Sequence, residues 1–265
     1  MNVKKYFNYS PDLELTVAQI GINKWDWEAT IRFDEGYARR VMELNRFDIL
    51  PIQNDDNIEH YYQTEKWGDY SKICFRTIEK EDEIYYRLSF IDLIRKMIHE
   101  DKYHYFLSDS NGILGLVSLN NLNCLAVYNY IYQITASLER VVSDYLKRVL
   151  KEEFVLEVLR NTNDKQANGI AVTFDKQITE NSENSIFQYL FFPTIGTLLS
   201  HSKEIIKGDC PELLEYRTKF GTGNLYWDIR NTVSHPIRPL FLNAESVIGV
   251  NEMITDYVKI RALLS

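Results

Sequence analysis

The chain of 265 residues has few cysteines and no long apolar run. Cys74, Cys124 and Cys210 are odd in number and form no CxxC pair, so we expect buried, reduced thiols and no disulfide framework. No apolar segment reaches the roughly 20 residues of a transmembrane helix, so no membrane partner is predicted. Residues 1–7 are followed by polar residues and lack the apolar core of a signal peptide, which predicts a cytoplasmic protein.

Signatures of several enzyme classes are also missing. The chain has no P-loop, no GxSxG and no GxGxxG segment. His60, His99, His104 and His201 show no HExxH or other paired-ligand spacing, so we expect surface or packing roles for them and no zinc site. The net charge of −8 argues against a protein that coats DNA or RNA non-specifically, although it is compatible with a local basic site.

The first part of the chain contains a unit of one helix and two strands. Its parts are a helix capped by Asp34, a strand at 47–52, a turn at 53–57 and a strand at 58–63. Short strands that alternate with a helix are typical of small α/β modules.

The same order recurs further along the chain. Ser89 and Asp92 form a capping box before a second helix, which is followed by a strand at 103–107, a turn at 109–112 and a strand at 113–118. Asn111-Gly112 within that turn is a strong hairpin signal. One constant spacing, the repeat spacing, leads from each position to its equivalent: from Met42 to Met97, from Leu50 to Tyr105 and from Ile58 to Ile113. A repeat of this length predicts two copies of one supersecondary unit packed together.

From residue 123 onward the pattern is helical. Apolar residues three or four positions apart predict one long amphipathic helix from Leu125 to Val149. The polar segment 161–184 is predicted to be a loop, and the helical pattern that resumes at 185–206 is expected to be kinked by Pro193.

Further helices are predicted from Pro211, over 225–235 and over 244–264. We therefore predict an α+β protein with an α/β module at 1–121 and an all-α helical bundle at 122–265.

Residues 115–121 read glycine, apolar, any residue, hydroxyl, two residues, then an amide. Together with the repeat, this segment resembles the CBS motif, which occurs in tandem as a small α/β module, and the resemblance covers residues 12–121. It implies a module that senses an adenine nucleotide, with Ser118 bonded to a phosphate and Asn121 to the ribose hydroxyls. The first copy has Lys66 in place of Asn121, so at most one such site is expected. The alternative is a module that serves only for dimerisation.

Residues 226–236 contain Arg230, Asn231 and His235. They resemble the signature of HEPN domains, an arginine followed by a polar residue and then a histidine within an all-helical domain, and the resemblance spans 122–265. It implies a metal-independent endoribonuclease that acts as a homodimer, requires no cofactor and leaves a 2′,3′-cyclic phosphate. His235 would act as general base or acid, Arg230 would stabilise the phosphorane, Asn231 would assist, and Glu139 would support them.

The helical spacing bears on this arrangement. Asn231 and His235 are four residues apart and share a helix face, whereas Arg230 and His235 are five apart and do not. Two copies of the motif that face each other across a dimer cleft would reconcile the spacing with a shared site.

The family resemblance also implies a role as a toxin or antiviral defence effector, with an antitoxin as a candidate partner. Two alternatives stay open. Arg230 could pair structurally with Asp228 or Glu215 while His235 caps its helix. The whole protein could also be a non-catalytic, dimeric regulator that binds nucleotide or RNA.

Overall fold

The computed structural model describes residues 15–30, 33–54, 57–162, 165–179 and 185–265. The fold is mixed α+β, and its contacts divide the described chain into an N-terminal unit that ends at Leu122 and a C-terminal unit, Asn123–Ser265. The start of the chain, predicted to lack a signal peptide, and Asp55 and Asp56 of the predicted turn lie outside the described residues.

In its described residues, the N-terminal unit contains two sheets and two α-helices. Its elements are β1 (Ile22–Asn23), α1 (Glu35–Asn45), β2 (Ile49–Asn54), β3 (Asn57–Lys66), β4 (Asp69–Thr77), β5 (Glu83–Tyr85), α2 (Phe90–Glu100), β6 (His104–Asp109) and β7 (Gly112–Ser118). One sheet is the antiparallel meander β2-β3-β4. The other has the order β1-β7-β6-β5, in which β5 and β6 are parallel and the other neighbours are antiparallel.

The repeat predicted from the sequence is present in the backbone. Helices α1 and α2 begin at Glu35 and Phe90, which the repeat spacing separates, and both contain 11 residues. Strands β2 and β6 begin at Ile49 and His104, again one repeat spacing apart, and both contain six. Each helix is followed by a residue in the left-handed conformation, Arg46 with a φ of 58° and Asp101 with a φ of 48°. These two residues also occupy equivalent positions of the repeat.

The caps and hairpins repeat as well. The Asp34 carboxylate accepts a hydrogen bond from the Tyr37 N–H at 2.9 Å, and Ser89 Oγ accepts one from the Asp92 N–H at 3.1 Å. Both helices are therefore capped at the residues that the sequence indicated. The hairpin registers agree too, since pairs of the first hairpin have counterparts at equivalent positions of the second: Ile49 with Gln63 and His104 with Ser118, Leu50 with Tyr62 and Tyr105 with Val117.

Strand β4 was not predicted. Its only buried residue is Ile73, and its other positions include exposed charged side chains, so it lacks the apolar alternation that signals a strand. It lies at an edge of its sheet, where one row of backbone groups has no strand partner among the described residues. The last residues of β4 pair with β3, where Arg76 lies opposite Tyr61. In the second sheet, β1 pairs with β7 at the equivalent position, where Ile22 lies opposite Leu116.

Apolar side chains from both sheets form the core of this unit. One cluster joins residues of β2 and β3 to residues of β6 and β7: Ile49, Tyr61, Phe106 and Leu116. A second cluster lies beneath α1, where Ala38 and Met42 pack on Leu50, Ile52 and Tyr62. Gly115 is required in β7, because a Cβ there would lie 2.4 Å from the Ile22 carbonyl oxygen of β1.

The C-terminal unit is helical in its described part. Its helices are α3 (Leu125–Val149), α4 (Glu152–Asn161), α5 (Lys165–Thr179), α6 (Phe192–His201), α7 (Lys203–Asp209), α8 (Leu225–Ser234) and α9 (Ala244–Leu264), with 3-10 segments at Ile186–Tyr189 and Pro211–Phe220. The long helix α3 packs against α8 and α9. The predictions of α3 and α9 are confirmed. None of the described helices combines the length and apolar character needed to cross a bilayer.

Two predictions in this unit are wrong. Most of the segment predicted as a loop forms α5, which buries Ala167, Ala171 and Phe174 at helical spacing, while residues 163–164 and 180–184 lie outside the described chain. Pro193 does not kink a continuous helix. It lies in the first turn of α6, where its missing N–H removes no helical hydrogen bond.

The three cysteines are free thiols. Only Cys210 is buried as predicted, whereas Cys74 and Cys124 are half-buried.

Candidate functional site

Helix α8 carries the residues of the predicted ribonuclease motif. Tyr226, Ile229 and Val233 form its buried face, and Arg230 and Asn231 are half-buried. The helix ends at Ser234 because the next residue is followed by Pro236, whose ring disfavours a helical residue before it. His235 is therefore the C-terminal cap and is exposed, and its N–H donates to the Thr232 carbonyl at 3.1 Å.

Arg230 forms an ion pair with Glu139 of α3. The distance from Arg230 Nε to Glu139 Oε1 is 3.8 Å, and the two side chains are 31% and 16% exposed. Arg230 Nε is buried and has no hydrogen-bond partner among the described residues. The Arg230 guanidinium also lies 6.0 Å from the centre of the Trp227 ring. The pairing with Asp228 or Glu215 that the sequence left open is not seen in the described chain.

Glu139 connects this pair to the start of another helix. Its Oε1 accepts a hydrogen bond from the Phe192 N–H at 3.2 Å, which satisfies one of the free N–H groups in the first turn of α6. Burial raises the pKa of Glu139, and the charge of Arg230 and the Phe192 N–H oppose that rise without cancelling it. The carboxylate is thus held by two partners in a poorly solvated position.

A cavity of about 420 Å³ opens beside Glu139. One wall is α3, which contributes Arg140, Ser143, Asp144 and Lys147, and the segment 187–190 forms another wall. Glu139 therefore faces both the cavity and Arg230.

Of the four predicted catalytic residues, the structure brings Arg230 and Glu139 together. Within the described part of a single chain, no hydrogen bond or ion pair joins Asn231 or His235 to either of them. The two halves of the motif thus lie on the half-buried side and at the exposed end of α8.

The predicted nucleotide-binding residues lie in the N-terminal unit and bond to each other. The Ser118 N–H and Oγ–H both donate to Asn121 Oδ1 at 2.8 Å. This arrangement closes the 3-10 turn Leu119–Asn123 that follows β7. Both side chains already have a partner. A ligand could therefore accept a hydrogen bond from the Ser118 hydroxyl only by replacing Asn121 Oδ1 as its acceptor.

Ser118 and Asn121 line a cavity of about 360 Å³. No sequence pattern indicated its other walls, which include three aromatic and three charged side chains: Trp27, Phe47, Trp67, Glu28, Arg46 and Asp48.

Two walls of this cavity are fixed by hydrogen bonds. Trp27 Nε1 donates to Gln53 Oε1 at 2.9 Å. Asp48 is buried, and its Oδ1 accepts from Thr64 Oγ1 at 2.9 Å and from the Gly68 N–H at 2.7 Å. No sequence pattern placed Arg46, the left-handed residue that follows α1, beside β7.

Comparison of the chain with protein-family models, with curated proteins and with solved structures found no match. Among the described residues, no group of three or more His, Cys, Asp or Glu side chains is placed to hold a metal ion.

Proposed function

We propose that this protein is a metal-independent endoribonuclease of the HEPN type whose C-terminal unit cleaves RNA with Arg230, Asn231, His235 and Glu139. The observation that carries the proposal is the ion pair between Arg230 and Glu139. The HEPN resemblance implied Arg230 as a catalytic residue and Glu139, on another helix, as its support, and the two side chains form an ion pair. A half-buried guanidinium fixed by a carboxylate is a pre-organised donor for a phosphate oxygen.

The chemistry needs a base, an acid and a charge clamp. A histidine removes the proton from the RNA 2′-hydroxyl, whose oxygen then attacks the adjacent phosphorus. The bond to the 5′-oxygen breaks, that oxygen takes up a proton, and a 2′,3′-cyclic phosphate remains. Arg230 stabilises the negative charge of the phosphorane, and Glu139 acts as a positioning residue for its guanidinium.

A homodimer completes this site. His235 is exposed at the end of α8 while Arg230 is held against α3, so two copies would supply imidazole and guanidinium groups to one phosphate. The expected order of events is binding of RNA in a cleft between copies, then attack within one strand.

The test is cleavage of mixed RNAs by the purified chain and by His235→Ala. We expect the variant to lose at least about 100-fold in rate, the lower range for loss of a general base or acid, with an unchanged helical circular-dichroism spectrum. His201→Ala, at an exposed histidine of α6, is the matched control. The products should carry a 2′,3′-cyclic phosphate and form in the presence of EDTA. Equal cleavage by parent and His235→Ala would refute the proposal.

A second candidate function is favoured by the cavity beside Ser118. In it the N-terminal unit is a CBS-type module that binds an adenine nucleotide, and the protein is a dimeric regulator without catalysis. The indole rings of Trp27 and Trp67 offer stacking faces for a base, and the nearby Arg46 offers a charge for phosphate.

This candidate is tested by titrating AMP, ATP and a cyclic nucleotide while following tryptophan emission and the melting temperature. Binding that Ser118→Ala weakens, without RNA cleavage by the same preparation, supports the regulator. Binding together with cleavage supports a nucleotide-regulated ribonuclease. No effect of any nucleotide would refute a sensing role for this cavity.

A further inference from the structure

The N-terminal unit has a second cavity, of about 600 Å³. It is lined by residues of β3, β4 and β6 and of the segments before β5 and β6: Tyr61, Gln63, Phe75, Arg76, Thr77, Glu79, Asp82, Lys102 and His104. Its size is within the range of small-molecule sites.

The repeat makes this cavity the counterpart of the one beside Ser118. Six lining residues of each occupy equivalent positions of the repeat: Tyr61 and Leu116, Gln63 and Ser118, Thr77 and Ile22, Asp82 and Trp27, Lys102 and Phe47, His104 and Ile49. The two cavities are thus formed by equivalent parts of the backbone, but their side chains differ in chemistry. Where the first cavity has an indole and an aliphatic side chain, the second has a carboxylate and an imidazole.

One of the two acidic groups of the second cavity is already engaged. Asp82 forms an ion pair with Lys102, whose Nζ also donates to the Glu81 carbonyl at 3.2 Å. The other carboxylate oxygen of Asp82 accepts the Glu79 N–H at 2.8 Å. The charge of Asp82 is therefore balanced by Lys102, whereas the Glu79 side chain is exposed to solvent.

The remaining polar groups are free to bind a ligand. His104 is 6% exposed, and its Nε2 is buried without a hydrogen-bond partner in the described chain. A polar atom in that state is costly unless something satisfies it. Tyr61, Gln63 and Arg76 also have no side-chain hydrogen bond among the described residues, and all three can donate.

The protonation states agree with a donor-rich site. Burial lowers the pKa of His104 to about 4, with a smaller contribution from Lys102, so the imidazole is neutral at pH 7. Burial raises the pKa of Tyr61 to about 12, so its hydroxyl keeps its proton.

We infer that this cavity binds a small sugar phosphate, with the phosphate held by Arg76 and Tyr61 and the sugar hydroxyls by Gln63 and His104. The planar guanidinium suits phosphate oxygens, and the amide and neutral imidazole can each pair with a hydroxyl. The polar lining favours a hydroxylated carrier over a flat base, which the indole-lined cavity suits better. The inference is independent of RNA cleavage.

Isothermal titration calorimetry on the full chain tests this inference, with ribose 5-phosphate, ribose and inorganic phosphate as probes. We expect ribose 5-phosphate to bind more tightly than either fragment. Arg76→Met should weaken that binding at least about tenfold, as expected for loss of a charge-assisted hydrogen bond. Arg95→Met, an exposed arginine on α2 outside the cavity, should not.

His104→Phe keeps an aromatic ring and removes the buried nitrogen, and it should also weaken binding. Should that variant fail to fold, Arg76→Met still decides, because Arg76 is exposed and no side-chain hydrogen bond depends on it in the described chain. Tryptophan emission should change little on binding, since Trp27 and Trp67 line the other cavity. Failure of ribose 5-phosphate to bind at millimolar concentration, equal binding of ribose, or unchanged affinity in Arg76→Met would each overturn the inference.

Discussion

Replacement of Arg230 by methionine should destabilise the folded chain, and by an amount that depends on pH. The change removes the guanidinium and leaves the half-buried Glu139 carboxylate with the Phe192 N–H as its remaining partner in the described chain. An unpaired buried charge is less stable than either the pair or a neutral group.

The geometry sets the size of the effect. At 3.8 Å, two unit charges attract by about 4 kcal/mol with an effective dielectric constant of about 20. Because about a third of the Arg230 side chain is exposed, solvent screens part of that attraction. We expect a net loss of about 1–2 kcal/mol at neutral pH, which corresponds to about 2–8 °C in melting temperature for a unit of this size.

The pH dependence follows from Glu139. Its folded pKa is raised above the ordinary value of 4.5, so the folded chain binds this proton more tightly than the unfolded chain. Loss of Arg230 raises that pKa further. The extra destabilisation is therefore fully present above the folded pKa of Glu139 in the variant, and it is lost as the pH falls from that value to the folded pKa of Glu139 in the parent.

The assay is urea unfolding of the parent, Arg230→Met, Glu139→Gln and the double variant at pH 5 and pH 8. Glu139→Gln keeps an oxygen that can accept the Phe192 N–H and removes the charge. In that background, Arg230→Met should cost much less than in the parent. An equal cost of Arg230→Met in both backgrounds, or at both pH values, would refute an electrostatic role for the pair.

Two further predictions concern the backbone. Asp34→Ala and Ser89→Ala remove equivalent helix caps, so each should lower the free energy of unfolding by about 1 kcal/mol in urea denaturation, and a cost confined to one of them would show that the two caps are not equivalent. Gly112→Ala should destabilise the protein by about 1–3 kcal/mol, because Gly112 has a φ of 114°. Gly169→Ala should stabilise α5 by about 0.5–1 kcal/mol, because the added Cβ would meet nothing within 4 Å. Thermal melts that showed the opposite sign for either variant would contradict this reasoning.

Much of the fold could be predicted from the sequence where local signals agree with burial. The capping residues Asp34 and Ser89 and the apolar stripes behind them indicated the starts of α1 and α2, and the constant spacing of equivalent residues indicated the repeat. Helix α5 was missed because two of the three buried residues that the structure describes in it are alanines, which leave a polar composition around a narrow apolar stripe. Strand β4 was missed because an edge strand with one buried residue carries no alternation.

The candidate sites were predictable only in part. Arg230 and Glu139 could be named from a helical motif and a long helix, yet their contact depends on how α8 packs against α3. The residues that line the cavity beside Ser118 could not be predicted from the sequence for the same reason. Trp67 lies in the turn between β3 and β4 and Trp27 precedes α1, and only the folded chain brings them to the Ser118 turn.

Because the N-terminal unit contains two copies of one backbone unit, one copy can serve as the experimental control for the other. Positions in one hairpin have geometric twins in the other, and twins can differ in side chain, as Ile49 and His104 do. An exchange of side chains between such twins varies chemistry while strand, register and neighbouring hairpin stay alike. Effects of local shape can thus be separated from effects of charge or polarity inside a single polypeptide, without recourse to a second protein.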